Sequence, residues 1–217
     1  NVEGVLQAQS LKGIITGTDM AEYVIKNDKI CAAIITKAIT PNTIRVALST
    51  SNFASLIHPS VKLTADSDYT VTYKGGTKEY KASEVLELSK EINGTLFDSD
   101  RLYIKPKTGK VEIQSITRAS GTPKYRGIIE IAKKQDGYVI VNEVDFEQYL
   151  YGVVPSEMPT NYGLEAAKVQ AITARSYAYN QIFSNKYYGY GASVEDSIQS
   201  QVYNNTAENE NAIKAVD

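Results

Sequence analysis

VDFEQYLYGVVPSEMPTNYGLEAAKVQAITARSYAY, running from Val144 to Tyr179, decides how this chain folds. Just before it, after Asn142, the apolar pattern changes from strand-like runs to helical spacing. Asp145 is placed to cap a helical turn that carries Phe146, Tyr149 and Leu150 inward. A loop with two prolines follows, and Asn161 is the expected cap of a second helix. In that helix Leu164, Ala167, Ala171, Ala174 and Ala178 recur at helical spacing. Val169, Ile172 and Phe183 form a second apolar row, so the helix is expected to be buried over much of its circumference. The tyrosine-rich run after it reads as a long loop.

Upstream, strand-like runs alternate with Gly, Asn, Asp and Pro turns: IRVALST from Ile44, then YTVTYKGG, RLYIKP, KVEIQSI, RGIIEIAKK and GYVIVNE. The segment KASEVLELSKEI interrupts them, and its Val85, Leu86, Leu88 and Ile92 suit either one face of a short helix or a strand. Residues 1–43, with GIITGT, EYVIKN, ICAAIIT and a KNDK turn, read as a small β lead-in module, and 44–217 as the main domain. The expected architecture is α+β. A mostly antiparallel β body carries the Ala-rich helix, with a cleft at their junction.

Of 217 residues 42% are hydrophobic and 22% charged, with a net charge of −2, so the chain is globular and lacks the basic field that nucleic acid requires. The single cysteine, Cys31, excludes an internal disulfide and a multi-cysteine zinc cage, and reads as a small buried hydrophobe. The single histidine, His58, lies about a hundred residues from the decisive stretch and reads as a turn residue. No apolar run reaches the roughly 18–20 residues of a membrane span, and Asn1 opens without a basic and apolar leader.

Glu157 stands between Pro155 and Pro159. Each proline drives its predecessor toward extended geometry, which predicts a stiff, non-helical loop that aims the carboxylate. Shielding by Val153, Val154 and Met158 would let it hold a proton near neutrality, as a general acid must. A solvated charge or a capping role is the competing reading. Arg175 shares a helix row with Lys168 and Tyr179, and structural pairing is the commoner reason for such an arginine.

The long stretch resembles the signature of the stage II sporulation protein D and LytB family. YRGIIEI (Tyr125 to Ile131) and DSIQSQVY (Asp196 to Tyr203) fall in family order, and the likeness spans about Ile44 to Asp217. The resemblance implies a lytic transglycosylase of bacterial wall glycan with Glu157 as the catalytic residue and no cofactor. It also makes Gln170, Arg175 and Gln201 recurrent polar positions, which either touch glycan as substrate-binding residues or hold the scaffold. Tyr149, Tyr151 and Tyr203 are the candidates to lay rings and hydroxyls against sugar.

Some members bind zinc through cysteines and histidines near the segment that here reads EDSIQSQVY, where this chain has Glu195, Gln199 and Ser200; no metal is expected. The likeness is still running at Asp217, so the family domain is expected to continue past it. LytB-type relatives are described as enhancers of a wall amidase, which makes a non-catalytic partner, or a plain wall-binding module, the rival readings. All of these place the protein outside the cytoplasm, secreted or anchored through a segment beyond those given, with peptidoglycan strands and, in the enhancer reading, an amidase as partners.

Overall fold

The computed structural model describes residues 15, 20–36, 40–89, 101–134 and 136–217. The expected strand GIITGT, Ile15 apart, and Ile92 lie outside them. The chain is α+β: mixed sheets, mostly antiparallel, and, among the described residues, three helices.

Strands β1 (Ala21–Lys26) and β2 (Lys29–Ile35) form a hairpin through Asn27 and Asp28. Both turn residues have positive φ, 52° and 58°, as a two-residue turn matched to strand twist requires. This is the KNDK turn. Cys31 is exposed on β2 and is not the buried hydrophobe expected, because almost all of that strand faces solvent. The ribbon is rooted where the Thr36 N–H donates to the Met20 carbonyl, and Met20 and Ile15 sit in the main core.

The body is built from β3 (Thr43–Leu48), β4 (Val61–Ala65), β5 (Tyr69–Tyr73), β6 (Gly76–Tyr80), β7 (Leu86–Leu88), β8 (Arg101–Pro106) and β9 (Val111–Ile113). It continues with β10 (Lys124–Tyr125), β11 (Ile128–Lys134) and β12 (Gly137–Asp145), and closes with β13 (Val194–Glu195). A seven-stranded sheet runs β13-β3-β12-β11-β8-β5-β6, and a four-stranded one β10-β9-β4-β7. All pairs are antiparallel except β13 with β3. Of the KASEVLELSKEI segment, Leu86–Leu88 resolves as strand: Leu86 and Leu88 alternate inward, and the exposed Val85 precedes them. Pairing with β4 supplies the burial that a short isolated helix lacks.

The central strand β12 is buried on both faces, and period-two alternation sorts its side chains. Tyr138, Ile140 and Val144 enter the main core, whereas Val139 and Val141 join Ala47, Ala132, Tyr187 and Ala192 behind the sheet. On that rear face Arg45 donates to Glu130, to Glu143 at 2.5 Å and to the Gly191 carbonyl at 2.7 Å. A buried arginine persists when its donors are matched in this way. His58, expected in a turn, forms an isolated bridge instead. It is 1% exposed, bridges to Tyr138 through its backbone, and directs Nε2 to the Leu48 carbonyl at 2.8 Å.

Two long helices follow β12 directly: α1 (Phe146–Glu157) and α2 (Leu164–Ser184), with α3 (Glu210–Val216) packed across both. The Asp145 carboxylate accepts the N–H groups of Glu147 and Gln148, the expected cap, worth about 1 kcal/mol. Phe146, Tyr149 and Leu150 are buried as expected.

Candidate functional site

Glu157 is the last residue of α1 and not part of a non-helical loop, which corrects the expectation from the proline pair. Pro155 lies inside the helix, buried. It withholds the N–H that Tyr151 would otherwise receive, a defect of about 3 kcal/mol in an isolated helix. One local and one tertiary contact hold that turn: the Gly152 carbonyl takes the Ser156 hydroxyl of the same helix at 2.7 Å and the Asn204 N–H at 3.1 Å. Pro159 does act as the proline rule states, since Met158 is extended (φ −141°, ψ 131°) and ends the helix there.

The connection to α2 passes through a 3-10 turn, Thr160–Tyr162, and Gly163, whose φ of +97° suits only glycine. Gly163 and not Asn161 stands at the N-cap, without a side-chain cap bond. Along α2, Ala167, Ala171, Ala174, Ala178 and Ile182 are buried. Val169, Ile172 and Phe183 are exposed, 65%, 62% and 43%, contrary to the expected burial of that second row. α1 and α3 cover the alanine stripe, and small side chains let them approach closely.

The carboxylate of Glu157 is exposed, and one oxygen is tied down: the Val202 N–H donates to Oε1 at 2.5 Å. The expected apolar shield leaves Glu157 exposed, because Val153 and Val154 are buried in the core and the half-buried Met158 packs against it. The 200–206 loop that supplies this donor is stitched to α1. Its Asn204 N–H reaches Gly152, and its Thr206 N–H reaches the Ser156 hydroxyl at 3.1 Å.

Gln201, 6% exposed, accepts the Tyr149 hydroxyl at 3.2 Å and donates Nε2 to the Ala174 carbonyl at 3.4 Å. Burial pushes the Tyr149 hydroxyl well above the usual tyrosine range, and the nearby Glu157 charge and Tyr177 push it the same way. Tyr203 is buried as well: its hydroxyl donates to Asn142 Oδ1 at 2.9 Å, and its ring leans on Tyr149, 4.9 Å between centroids.

The remaining candidates divide around α2. At 100° per residue, Gln170 and Tyr177 flank the alanine stripe on one side and Arg175 on the other. Arg175 makes a bidentate bond to Glu147 (2.7–3.0 Å) and donates to the Val216 carbonyl at 3.0 Å. With Pro41, Phe146, Glu147 and Tyr179 it lines a depression of about 510 Å³. Tyr151 donates to Asp217 Oδ1 at 2.7 Å with Arg126 over its ring, and that bond to Asp217, with some burial, pushes the phenol up to about 12. The structure thus gathers Glu157, Tyr149 and Gln201, keeps Tyr203 beneath them, and sets Arg175 and Tyr151 elsewhere.

Sequence reasoning missed the pair beneath this cluster. Arg118 and Asp196 have fully buried side chains and meet at 2.5 Å, and Asp196 also accepts the Ser49 N–H at 2.8 Å. Burial pushes the Asp196 carboxyl upward, and Arg118 and Ser49 oppose it. The two residues lie 78 positions apart, and no local pattern marks them as partners. Glu195 accepts the Ser197 hydroxyl at 2.5 Å, and among the described residues no cluster of His, Cys, Asp and Glu is arranged to hold a metal.

An α+β domain that fixes a solvent-facing glutamate at a helix end, with a loop clamped beside it, is the class of structure defined here. Residues 134–217, which contain that site, match the family model described as stage II sporulation protein. An uncharacterized protein of Brachyspira hyodysenteriae is 31% identical over 145 residues, 63% of this chain and 39% of that protein. The amidase enhancer of Bacillus subtilis is 38% identical over 68 residues, 31% of this chain and 8% of the enhancer. Stage II sporulation protein D of the same organism is 39% identical over 70 residues, 31% and 20% of the two chains. The chain therefore spans well under half of each of these relatives, and no solved structure matches it.

Proposed function

We propose that this domain acts on the bacterial cell wall outside the cytoplasm as a lytic transglycosylase, with Glu157 as its acid and base. The observation that carries this reading is the carboxylate itself: exposed, its Oε1 held by the Val202 N–H, its other oxygen without a hydrogen-bond partner among the described residues. Protonated Glu157 gives its proton to the glycosidic oxygen leaving C1 of N-acetylmuramic acid, and the C1–O bond breaks through an oxocarbenium-like state. The carboxylate then takes the proton of the 6-hydroxyl of the same sugar while O6 bonds to C1. The products are a 1,6-anhydro end and a free 4-hydroxyl, and Glu157 regains its proton, so no water is consumed. A single carboxyl group suffices for this sequence, unlike the paired carboxylates of glycoside hydrolases.

A second reading has its own support, the likeness to a relative named amidase enhancer: the domain would then assist a wall amidase without cutting glycan. Digestion of purified glycan strands, with and without stem peptides, separates the two. Anhydro ends detected by mass spectrometry with the native chain but absent with Glu157→Gln support the lyase. Stem peptides released only when an amidase is added, and equally with Glu157→Gln, support the enhancer.

A further inference from the structure

We infer that Gln201 is a positioning residue that aims the Glu157 carboxylate, and does not itself bind glycan; this rests on the transglycosylase reading. Its side chain is buried with both ends engaged, Oε1 by the Tyr149 hydroxyl of α1 and Nε2 by the Ala174 carbonyl of α2. It is therefore a cross-brace between the two helices, and its neighbour Val202 presents the N–H that grips Glu157. The rest of the loop is held independently: the Tyr203 N–H bonds to the Asp196 carbonyl, the Tyr203 hydroxyl to Asn142, and Asn204 to Gly152 and to the Lys124 carbonyl. Those anchors set the loop on the body. Asn204 also ties the loop to α1, but among the described residues of the loop it is Gln201 whose side chain bonds both α1 and α2, directly beside the peptide that grips Glu157.

One consequence is a division of labour between the two carboxylate oxygens. Oε1 is a standing acceptor of a backbone N–H, so the proton that moves in the reaction belongs on Oε2. Loss of the brace leaves Glu157 present and exposed but free to rotate. Turnover then suffers while glycan affinity does not.

The test uses Gln201→Met, which keeps the volume and removes both bonds, beside Gln201→Glu, which keeps the acceptor for Tyr149. Thermal denaturation checks that each folds. The Val202 amide is followed by two-dimensional NMR across a pH titration, because an N–H bonded to a carboxylate shifts when that group titrates. The wild-type amide moves with pH and the Glu157→Gln amide does not; that comparison establishes the probe whether or not the chain cleaves glycan. Gln201→Met is expected to lose the titration shift and to lower kcat by roughly a hundredfold, as a misplaced catalytic group does, with KM within about twofold. Gln201→Glu is expected to restore part of both. A folded Gln201→Met whose Val202 amide still follows Glu157, or one whose loss lies in KM, overturns the inference. If the wild-type chain makes no anhydro ends, the transglycosylase reading fails, and the NMR comparison alone still decides whether Gln201 positions Glu157.

Discussion

The ring of Tyr203 lies against Gly152 of α1, so closely that a Cβ on that glycine would stand 2.7 Å from Cε2 and 3.0 Å from Cδ2. The ring is not free to yield. Its hydroxyl is bound to Asn142, and Tyr149 and Tyr125 pack against it with centroids at 4.9 and 5.7 Å.

Replacing a helical glycine by alanine ordinarily gains up to about 1 kcal/mol. Gly152→Ala is expected to reverse that sign and lose about 1–3 kcal/mol, because a methyl group enters a packed contact. Urea denaturation measures it, and a stabilised variant would show that the loop yields without cost.

Arg118 and Asp196 make a second anchor of the same loop. Their side chains are wholly buried, so removing one partner leaves an unpaired charge in the core. Arg118→Ala is expected to lose about 3–5 kcal/mol, far more than a surface ion pair such as Lys168 with Glu165 contributes. Equilibrium unfolding of the two single variants, Arg118→Ala and Lys168→Ala, compares them directly.

His58 gives the fold a pH dependence. Burial, chiefly, lowers its pKa from the ordinary 6.5; the Leu48 carbonyl opposes the shift and Arg118 adds to it. A lowered folded value means that the unfolded chain takes up the proton first. The stability held by neutral His58 is therefore complete above 6.5 and is lost as pH falls toward the folded value. His58→Gln is expected to flatten this dependence, so its stability relative to wild type should rise between pH 7.5 and pH 5. Denaturation curves at the two pH values test the sign; a constant difference would mean that His58 does not titrate differently on folding.

The α+β class, the Asp145 cap and the alanine stripe were legible because each is written in neighbouring residues: an acceptor beside free N–H groups, or a row at helical spacing. The Pro155 position was not, because one donor that holds its turn, the Asn204 N–H, comes from a loop some fifty residues away. Around the site, Glu157 could be singled out as a carboxylate between prolines. Its partner is the backbone of Val202, and a backbone N–H has no signature in the sequence. Gln201 was recognisable as a polar position but not as a buried brace, since its partners on α1 and α2 are brought together only by tertiary packing.

The two apolar rows of α2 provide the last test. By residue type, Val169, Ile172 and Phe183 are the stronger hydrophobes, yet the structure buries the alanines instead. The choice is one of size: α2 packs against α1 and α3, and its buried row is alanine except for Ile182 near the C-terminal end, so close packing leaves room for methyl groups along most of it. Ile172→Lys, at a position 62% exposed, is therefore expected to change stability by no more than about 0.5 kcal/mol. Ala171→Leu, the smaller change in polarity, is expected to cost about 1–3 kcal/mol through overpacking. Equilibrium unfolding of the two variants reads the ranking, and a greater loss for Ile172→Lys would mean that the outer row is covered in the folded protein.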